Sequence, residues 1–175
     1  MNWDHKLFFK INNLAGKNKK LDIISVFGGK YLLFLMILAL PFIYIYDSFP
    51  KLGYFFVFIQ FWLPAWLLSL IIGFIVKRPR PYIFYKNQIR PLFFPLFESW
   101  KSFPSDHALT CGVLTVLAIL TGSILIGFIY IILSVWVCWG RIYAGVHYFS
   151  DILAGYLLGI ISATAWVLFA FLNIK

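Results

Sequence analysis

The chain has 175 residues, of which 62% are hydrophobic and only 12% are charged. Soluble domains carry about 25% charged residues, so this composition excludes intrinsic disorder and argues strongly against a soluble globular protein. The net charge of +9 would also suit nucleic acid, but in so apolar a chain we expect anionic lipid headgroups as partners and no nucleic acid. The composition therefore predicts an integral membrane protein.

The N-terminal segment is too polar to cross a membrane. Its large apolar residues recur at helical spacing, which is typical of an amphipathic helix lying in the membrane interface. These residues are Trp3, Leu7, Phe8, Ile11 and Leu14. We therefore expect an interfacial segment over residues 1–20, with its helix at residues 2–15.

Five long apolar runs follow. About 20 helical residues span the hydrocarbon core, and these runs lack the alternation of polar and apolar residues typical of a transmembrane barrel. They cover residues 31–46 (with a start as early as Leu21), 52–76, 105–120, 124–139 and 151–172. The sequence predicts an all-α polytopic bundle of about five spanning helices, with six as the alternative count, in one domain over residues 1–175.

The number of spans decides which connections share a membrane face. With five spans, the N-terminal helix, the loop 77–103 and the link 140–151 lie on one face. The turns at residues 47–51 and 121–123 lie on the other face. A long loop in so small a protein is usually functional. We therefore expect the loop 77–103 and the link 140–151 to form the active site.

A histidine and a carboxylate stand at the start of the fifth span. His147 and Asp151 are four residues apart, so they would share one helix face. The carboxylate can then hold one imidazole NH and leave the other ring nitrogen free to attack a substrate. The alternative is a His–Asp pair with a structural role only.

The segment Pro104-Ser105-Asp106-His107 opens the third span. Ser105 is a plausible N-cap, and the free amides at a helix start attract anions. His107 would lie beside a bound phosphate, where its natural role is that of a general acid. The alternative is an ordinary cap followed by a histidine at the membrane interface.

Two arginines complete the charged clusters. Arg80 and Arg141 can bind phosphate through two parallel hydrogen bonds, and they stay charged in any environment. Most of the remaining cations near the site are interpreted as side chains that snorkel to the lipid headgroups. These cations are Lys77, Arg78, Lys86, Arg90 and Lys101.

Together, the three clusters resemble the signature of the type 2 phosphatidic acid phosphatase superfamily, which contains membrane lipid phosphatases. The signature reads Lys-x6-Arg-Pro, Pro-Ser-Gly-His and Ser-Arg-x5-His-x3-Asp. Its parts are matched here by Arg80-Pro81, by Pro104, Ser105 and His107, and by Arg141, His147 and Asp151. The chain is most similar to bacterial undecaprenyl-diphosphate phosphatases, phosphatidylglycerophosphate phosphatases and lipid A 1-phosphatases.

The chain departs from this signature at three positions. Gly73 stands where the family has a lysine, and we hypothesise that Lys77, one turn further along the same helix face, supplies the ammonium group. Asp106 replaces a glycine, and we expect its carboxylate to point away from the substrate and support the helix start. Gly140 replaces a serine, which removes one hydroxyl contact.

The resemblance implies a two-step hydrolysis without a metal ion or other cofactor. His147, oriented by Asp151, attacks phosphorus and forms a phosphohistidine, while His107 protonates the leaving group. The phosphoryl oxygens are then held by Arg80, Arg141, Ser105 and Lys77. The implied substrate is a phosphorylated or diphosphorylated membrane lipid, whose identity the sequence leaves open together with the oligomeric state.

Two other functions are compatible with the residues. A metal-dependent membrane hydrolase would use as ligands His107, His147, Asp106 and Asp151. A non-catalytic lipid headgroup binder or transporter would carry a decayed site, which the absent lysine at position 73 would fit.

The orientation in the membrane is contested by two signals. The resemblance implies a bacterial cytoplasmic (inner) membrane with the site on its periplasmic face. The positive-inside rule favours the opposite orientation, because only Lys51 and Lys175 among the 15 Lys and Arg residues lie away from the site. We expect the periplasmic orientation, because phosphate binding accounts for part of this charge.

Overall fold

The computed structural model of the protein describes residues 3–43, 51–86, 88–89, 91–94, 101–120 and 123–173. Every regular element within these ranges is helical. The helices are α1 (Trp3–Asn12), α2 (Lys19–Phe27), a π-helical turn (Gly28–Leu32), α3 (Leu33–Ile43), α4 (Lys51–Val76), α5 (Pro81–Phe84), α6 (Asp106–Leu120), α7 (Ile124–Tyr143) and α8 (Phe149–Asn173).

The all-α membrane bundle predicted from the sequence is confirmed. Four stretches of the described chain are long and apolar enough to cross a membrane, namely Lys19–Phe42, Gly53–Phe84, Ile124–Tyr143 and Phe149–Asn173. The 15-residue α6 is shorter, but ten of its residues are buried because α3, α4, α7 and α8 pack around it. These are the five segments that the sequence predicts, with α6 at the centre of the bundle.

The first span begins well before its most apolar part. α2, the π-helical turn and α3 continue one another from Lys19 to Ile43. Asn18 fixes the start, because its Oδ1 accepts hydrogen bonds from the amides of Lys20 (2.9 Å) and Leu21 (3.2 Å). The predicted early start is therefore confirmed. The predicted end at residue 46 and most of both predicted turns (residues 47–50 and 121–122) lie outside the described residues.

The N-terminal helix is present, and it packs more firmly than an interfacial helix requires. α1 contacts α7 and α8, with Phe8 fully buried, while Trp3 is exposed and its ring meets that of Phe149 edge-on. Asp4 and Asn12, both polar, are also buried at this contact. The helix is therefore fixed to the bundle by polar contacts as well as by its apolar face.

Two glycines of α8 determine how closely it approaches α6. A side chain at Gly155 would collide with the backbone of Ser105, and one at Gly159 would collide with the backbone of Leu109. The Gly-x3-Gly spacing of these residues is typical of such close helix packing. The contact joins the two helix starts, since the amide of Ser105 donates to the carbonyl oxygen of Asp151 (3.0 Å).

α7 is longer than predicted, because Gly140 lies inside the helix and does not end it. A side chain at Gly140 would collide with the backbone of Ser25 and Gly29. The glycine therefore allows α7 to approach α2 and the π-helical turn closely. The serine of the signature that the chain resembles would therefore not fit at this contact. Arg141 consequently lies in the last turn of α7, and the loop to α8 covers only residues 144–148.

Candidate active site

Four predicted site residues from distant parts of the chain converge at one end of the bundle. Nη1 of Arg80 lies 3.0 Å from Nε2 of His147, and Nη2 of Arg141 lies 3.5 Å from the same atom. Nη1 of Arg141 lies 3.3 Å from Nε2 of His107. The convergence that the span count predicts for these side chains is therefore observed.

The hydrogen bonds around His147 define the tautomer of its imidazole. The loop that carries it turns at Gly145, whose φ of 80° favours glycine. Nδ1 of His147 donates to the carbonyl oxygen of Ser102 (3.0 Å), so Nε2 keeps its lone pair and faces Arg80. Burial lowers the pKa of His147 well below its ordinary value, and the charges of Arg80 and Arg141 lower it further. The imidazole is therefore neutral at pH 7.

Asp151 supports His147 indirectly, which corrects the direct hydrogen bond expected from their spacing. Its Oδ2 lies 3.6 Å from Nδ1 of His147. The same oxygen instead accepts the hydroxyl of Ser102 and the amide of Tyr148 (2.8 Å). Oδ1 accepts Nη1 of Arg78 (2.8 Å), so Arg78 belongs to this network and does not snorkel freely to the headgroups. Asp151 thus fixes the two backbone segments that hold the imidazole.

Two buried polar atoms at the site have no hydrogen-bond partner among the described residues. They are Oγ of Ser105 and Nε of Arg141. Ser105 stands at the N-cap position before α6, where its carbonyl oxygen accepts the amide of Leu109 (2.9 Å), but its hydroxyl makes no capping bond. Buried polar atoms are normally satisfied, so unpaired ones in a cationic cluster indicate a place for an anionic ligand.

Asp106 is paired with a buried lysine. Its Oδ1 accepts hydrogen bonds from Nζ of Lys101 (2.8 Å) and from Oγ of Ser69 (2.7 Å). Lys101 is only 1% exposed, so the expected snorkelling of this side chain is wrong. The expectation that Asp106 turns to a supporting role agrees with this contact, because the lysine compensates its charge beside His107.

Lys77 does not reach the site in this structure. It follows the last residue of α4 with a φ of 48°, and its side chain is exposed. It therefore leaves the helix face that would have placed it one turn beyond Gly73. Lys101 is instead the buried lysine near the site, and its pairing with Asp106 was not among the predictions from the sequence. The signal for it was an acid at the signature's glycine position, five residues after a lysine.

The arrangement suits an anion better than a divalent cation. Both histidines that could bind a metal lie within 3.5 Å of a guanidinium nitrogen. The carboxylates of the metal-hydrolase alternative already bind cationic side chains, Asp106 with Lys101 and Asp151 with Arg78. Among the described residues, no group of three or more His, Cys, Asp or Glu is placed to hold a metal ion.

The chain is similar to known membrane phosphatases in sequence and in fold. An undecaprenyl-diphosphatase of Sulfolobus acidocaldarius is 27% identical over 171 residues, which cover 94% of this chain and 73% of that protein. The crystal structure of LpxE from Aquifex aeolicus has a TM-score of 0.73 and 25% identity, and the match covers 95% of this chain and 96% of that one.

A second solved structure has the same fold. It is a transmembrane PAP2 type phosphatidylglycerolphosphate phosphatase from Bacillus subtilis, with a TM-score of 0.70 and 22% identity over 100% of this chain and 89% of that one. The family model of the PAP2 superfamily matches residues 54–175, a range that includes Arg80, His107, Arg141 and His147. The chain therefore belongs to the PAP2 superfamily.

Proposed function

We propose that this protein, a multi-pass membrane lipid phosphatase, transfers the phosphoryl group of its substrate to Nε2 of His147 before water releases it. One observation carries the proposal: a neutral, buried imidazole presents Nε2 to two guanidinium groups, while its Nδ1 is held by a backbone carbonyl. Such an atom is both a nucleophile and a neighbour of the charges that bind phosphate.

The first step forms a bond between Nε2 of His147 and phosphorus and breaks the bond from phosphorus to the leaving oxygen. His107 donates a proton to that oxygen, which leaves as the lipid alcohol or lipid monophosphate. In the second step, His107 accepts a proton from water, whose oxygen attacks the phosphohistidine and releases inorganic phosphate. His107 lies close enough to His147 to act on the same phosphoryl group, because both imidazoles contact the guanidinium of Arg141.

The phosphoryl oxygens are bound by Arg80, Arg141 and Ser105. The unpaired Nε of Arg141 and Oγ of Ser105 support this assignment, since each can donate to an anion. Phosphoryl transfer depends mainly on positioning and on stabilising charge, which two guanidinium groups supply without a metal ion. Lys77, exposed beyond α4, is left out of this set.

We propose a polyprenyl diphosphate such as undecaprenyl diphosphate as the first candidate substrate, because a relative covering almost the whole chain is an undecaprenyl-diphosphatase. The purified protein in detergent should release phosphate from at least one of undecaprenyl diphosphate, phosphatidylglycerophosphate, phosphatidic acid and lipid A. Without a lipid anchor, soluble phosphate esters should be slower by about 100-fold or more in kcat/KM. Release should persist in EDTA and be inhibited by vanadate.

The outcomes of this panel separate the alternatives. Activity that EDTA abolishes and a divalent cation restores would indicate a metal-dependent hydrolase. A protein that binds these lipids but releases no phosphate from any of them would be a headgroup binder.

We also propose that the protein resides in the cytoplasmic membrane with its site on the outer face. The positive-inside signal is weakened because Arg78 and Lys101 are paired with acids and Arg80 and Arg141 are buried in the site. A Lys86→Cys variant should react with a membrane-impermeant maleimide in intact cells, and the wild-type chain corrects for its own cysteines. Labelling only after permeabilisation would reverse the orientation.

A further inference from the structure

The N-terminal helix holds one end of the segment that carries His147. We call residues 143–151 the catalytic segment. The carboxylate of Asp4 on α1 is 3% exposed. Its Oδ1 accepts the amide of Ser150 (3.0 Å), and its Oδ2 accepts the hydroxyl of the same residue (2.6 Å). Nη2 of Arg78 also donates to Oδ2 of Asp4 (2.7 Å). The carboxylate of Asp4 therefore accepts three hydrogen bonds from two residues that are distant in sequence, Ser150 and Arg78.

The same helix also holds the other end of the catalytic segment. Nδ2 of Asn12 donates to the carbonyl oxygen of Tyr143 (2.9 Å). Between these two attachments, the ring of His5 stacks on Tyr148 with centroids 5.0 Å apart. The buried Phe8 packs against the same tyrosine ring. α1 therefore contacts the catalytic segment on both sides of His147.

Arg78 connects Asp4 to the group that supports the nucleophile. Its Nη2 binds Asp4, while its Nη1 binds Oδ1 of Asp151 (2.8 Å). Asp151 in turn accepts the hydroxyl of Ser102, whose carbonyl oxygen holds Nδ1 of His147. The guanidinium of Arg78 thus binds two carboxylates, that of Asp4 in α1 and that of Asp151 beside the active site.

We propose that Asp4 is a positioning residue that sets the place of Asp151, and through it His147, by holding Arg78. The inference rests on the proposed role of His147. Without the charge of Asp4, the half-buried Arg78 keeps Asp151 as its one acidic partner among the described residues and shifts with it. A displacement of about 1 Å at the nucleophile can cost about 100-fold in rate.

The test compares full-length Asp4→Asn with wild type in detergent, using undecaprenyl diphosphate as the probe. We expect kcat to fall about 10- to 100-fold while KM stays within about twofold, because the substrate contacts remain. In the double variant Asp4→Asn/Arg78→Gln, the fold-loss in kcat should be smaller than the product of the fold-losses in the two single variants. Both changes act through Asp151, so their effects are not independent. Lys6→Gln, which removes an exposed charge from α1, should match wild type.

A second measurement is independent of catalysis. Amide hydrogen exchange over the catalytic segment should accelerate in Asp4→Asn and stay unchanged in Lys6→Gln. If Asp4→Asn does not fold, Ser150→Ala removes the hydroxyl between Asp4 and Arg78 and should give the same changes to a smaller extent. If Asp4→Asn and Ser150→Ala both show the amide exchange and the kcat of the wild-type protein, the inference is overturned. A wild-type protein that releases no phosphate would overturn the proposed function instead, and exchange would still test Asp4.

Discussion

Replacing His147 by Gln is expected to abolish turnover of the lipid substrate. The substitution removes the nitrogen that would bond to phosphorus, and the remaining groups can only bind and polarise the substrate. In enzymes that use a covalent nucleophile, its loss lowers kcat by about 10⁴-fold or more. The measurement is phosphate release from the best lipid of the panel, with wild-type protein in the same detergent as the reference.

Folding must be controlled for, because His147 is buried and hydrogen-bonded to Ser102. Size-exclusion profiles and unfolding temperatures of wild type and Gln variant should agree closely. A folded Gln variant that turns over within about tenfold of wild type would remove His147 from the mechanism.

The second large effect is expected at His107, and it should depend on the leaving group. In His107→Asn, lipid hydrolysis should fall by about 10²- to 10⁴-fold, because the departing alkoxide no longer receives a proton. p-Nitrophenyl phosphate releases a stable phenolate that needs no acid, so formation of the phosphohistidine from it should be much less impaired. The two substrates are compared in a single experiment on the same variant.

His147→Gln is the matched control for this selectivity. Both substrates require the nucleophile, so the activity on each of them should be lost to the same extent. If the first-turnover burst of p-nitrophenolate falls in His107→Asn as much as lipid hydrolysis does, His107 would be assigned to phosphate binding and its role as the general acid would be excluded.

Much of the architecture follows from the sequence because apolar run lengths fix the helices of a membrane protein. The end of α7 was missed because glycine usually breaks helices, whereas Gly140 is needed for contact with Gly29. The site clusters were predictable since their connections share one face. The number of spans is enough to predict that these connections lie on the same membrane face, and no distance between residues is needed.

The contacts within the site depend on details that spacing does not define. The direct bond expected between His147 and Asp151 assumes that both lie on one helix. α8 begins at Phe149, so His147 lies in the preceding loop and the four-residue spacing does not apply. The helix-face argument for Lys77 meets the same limit, because α4 ends one residue before it.

The partner of Arg78 could not be read from the sequence, and the only sequence signal for the partner of Lys101 is the acid at position 106. A cation near a membrane surface snorkels unless tertiary structure brings an acid to it. Arg78 pairs with Asp4, 74 positions away, and the partner acid of Lys101 is part of the motif itself. The buried network around Asp151 is therefore a consequence of the fold.

The most direct test is to trap the covalent intermediate. A phosphoramidate on histidine survives alkali and breaks down in acid. The wild-type protein or His107→Asn is mixed with p-nitrophenyl phosphate, quenched in alkali and digested for mass spectrometry. The account predicts phosphate on His147, with more of it in His107→Asn because water is no longer activated, and none in His147→Gln. Phosphate on another residue, or no adduct in a variant that still hydrolyses the ester, would contradict it.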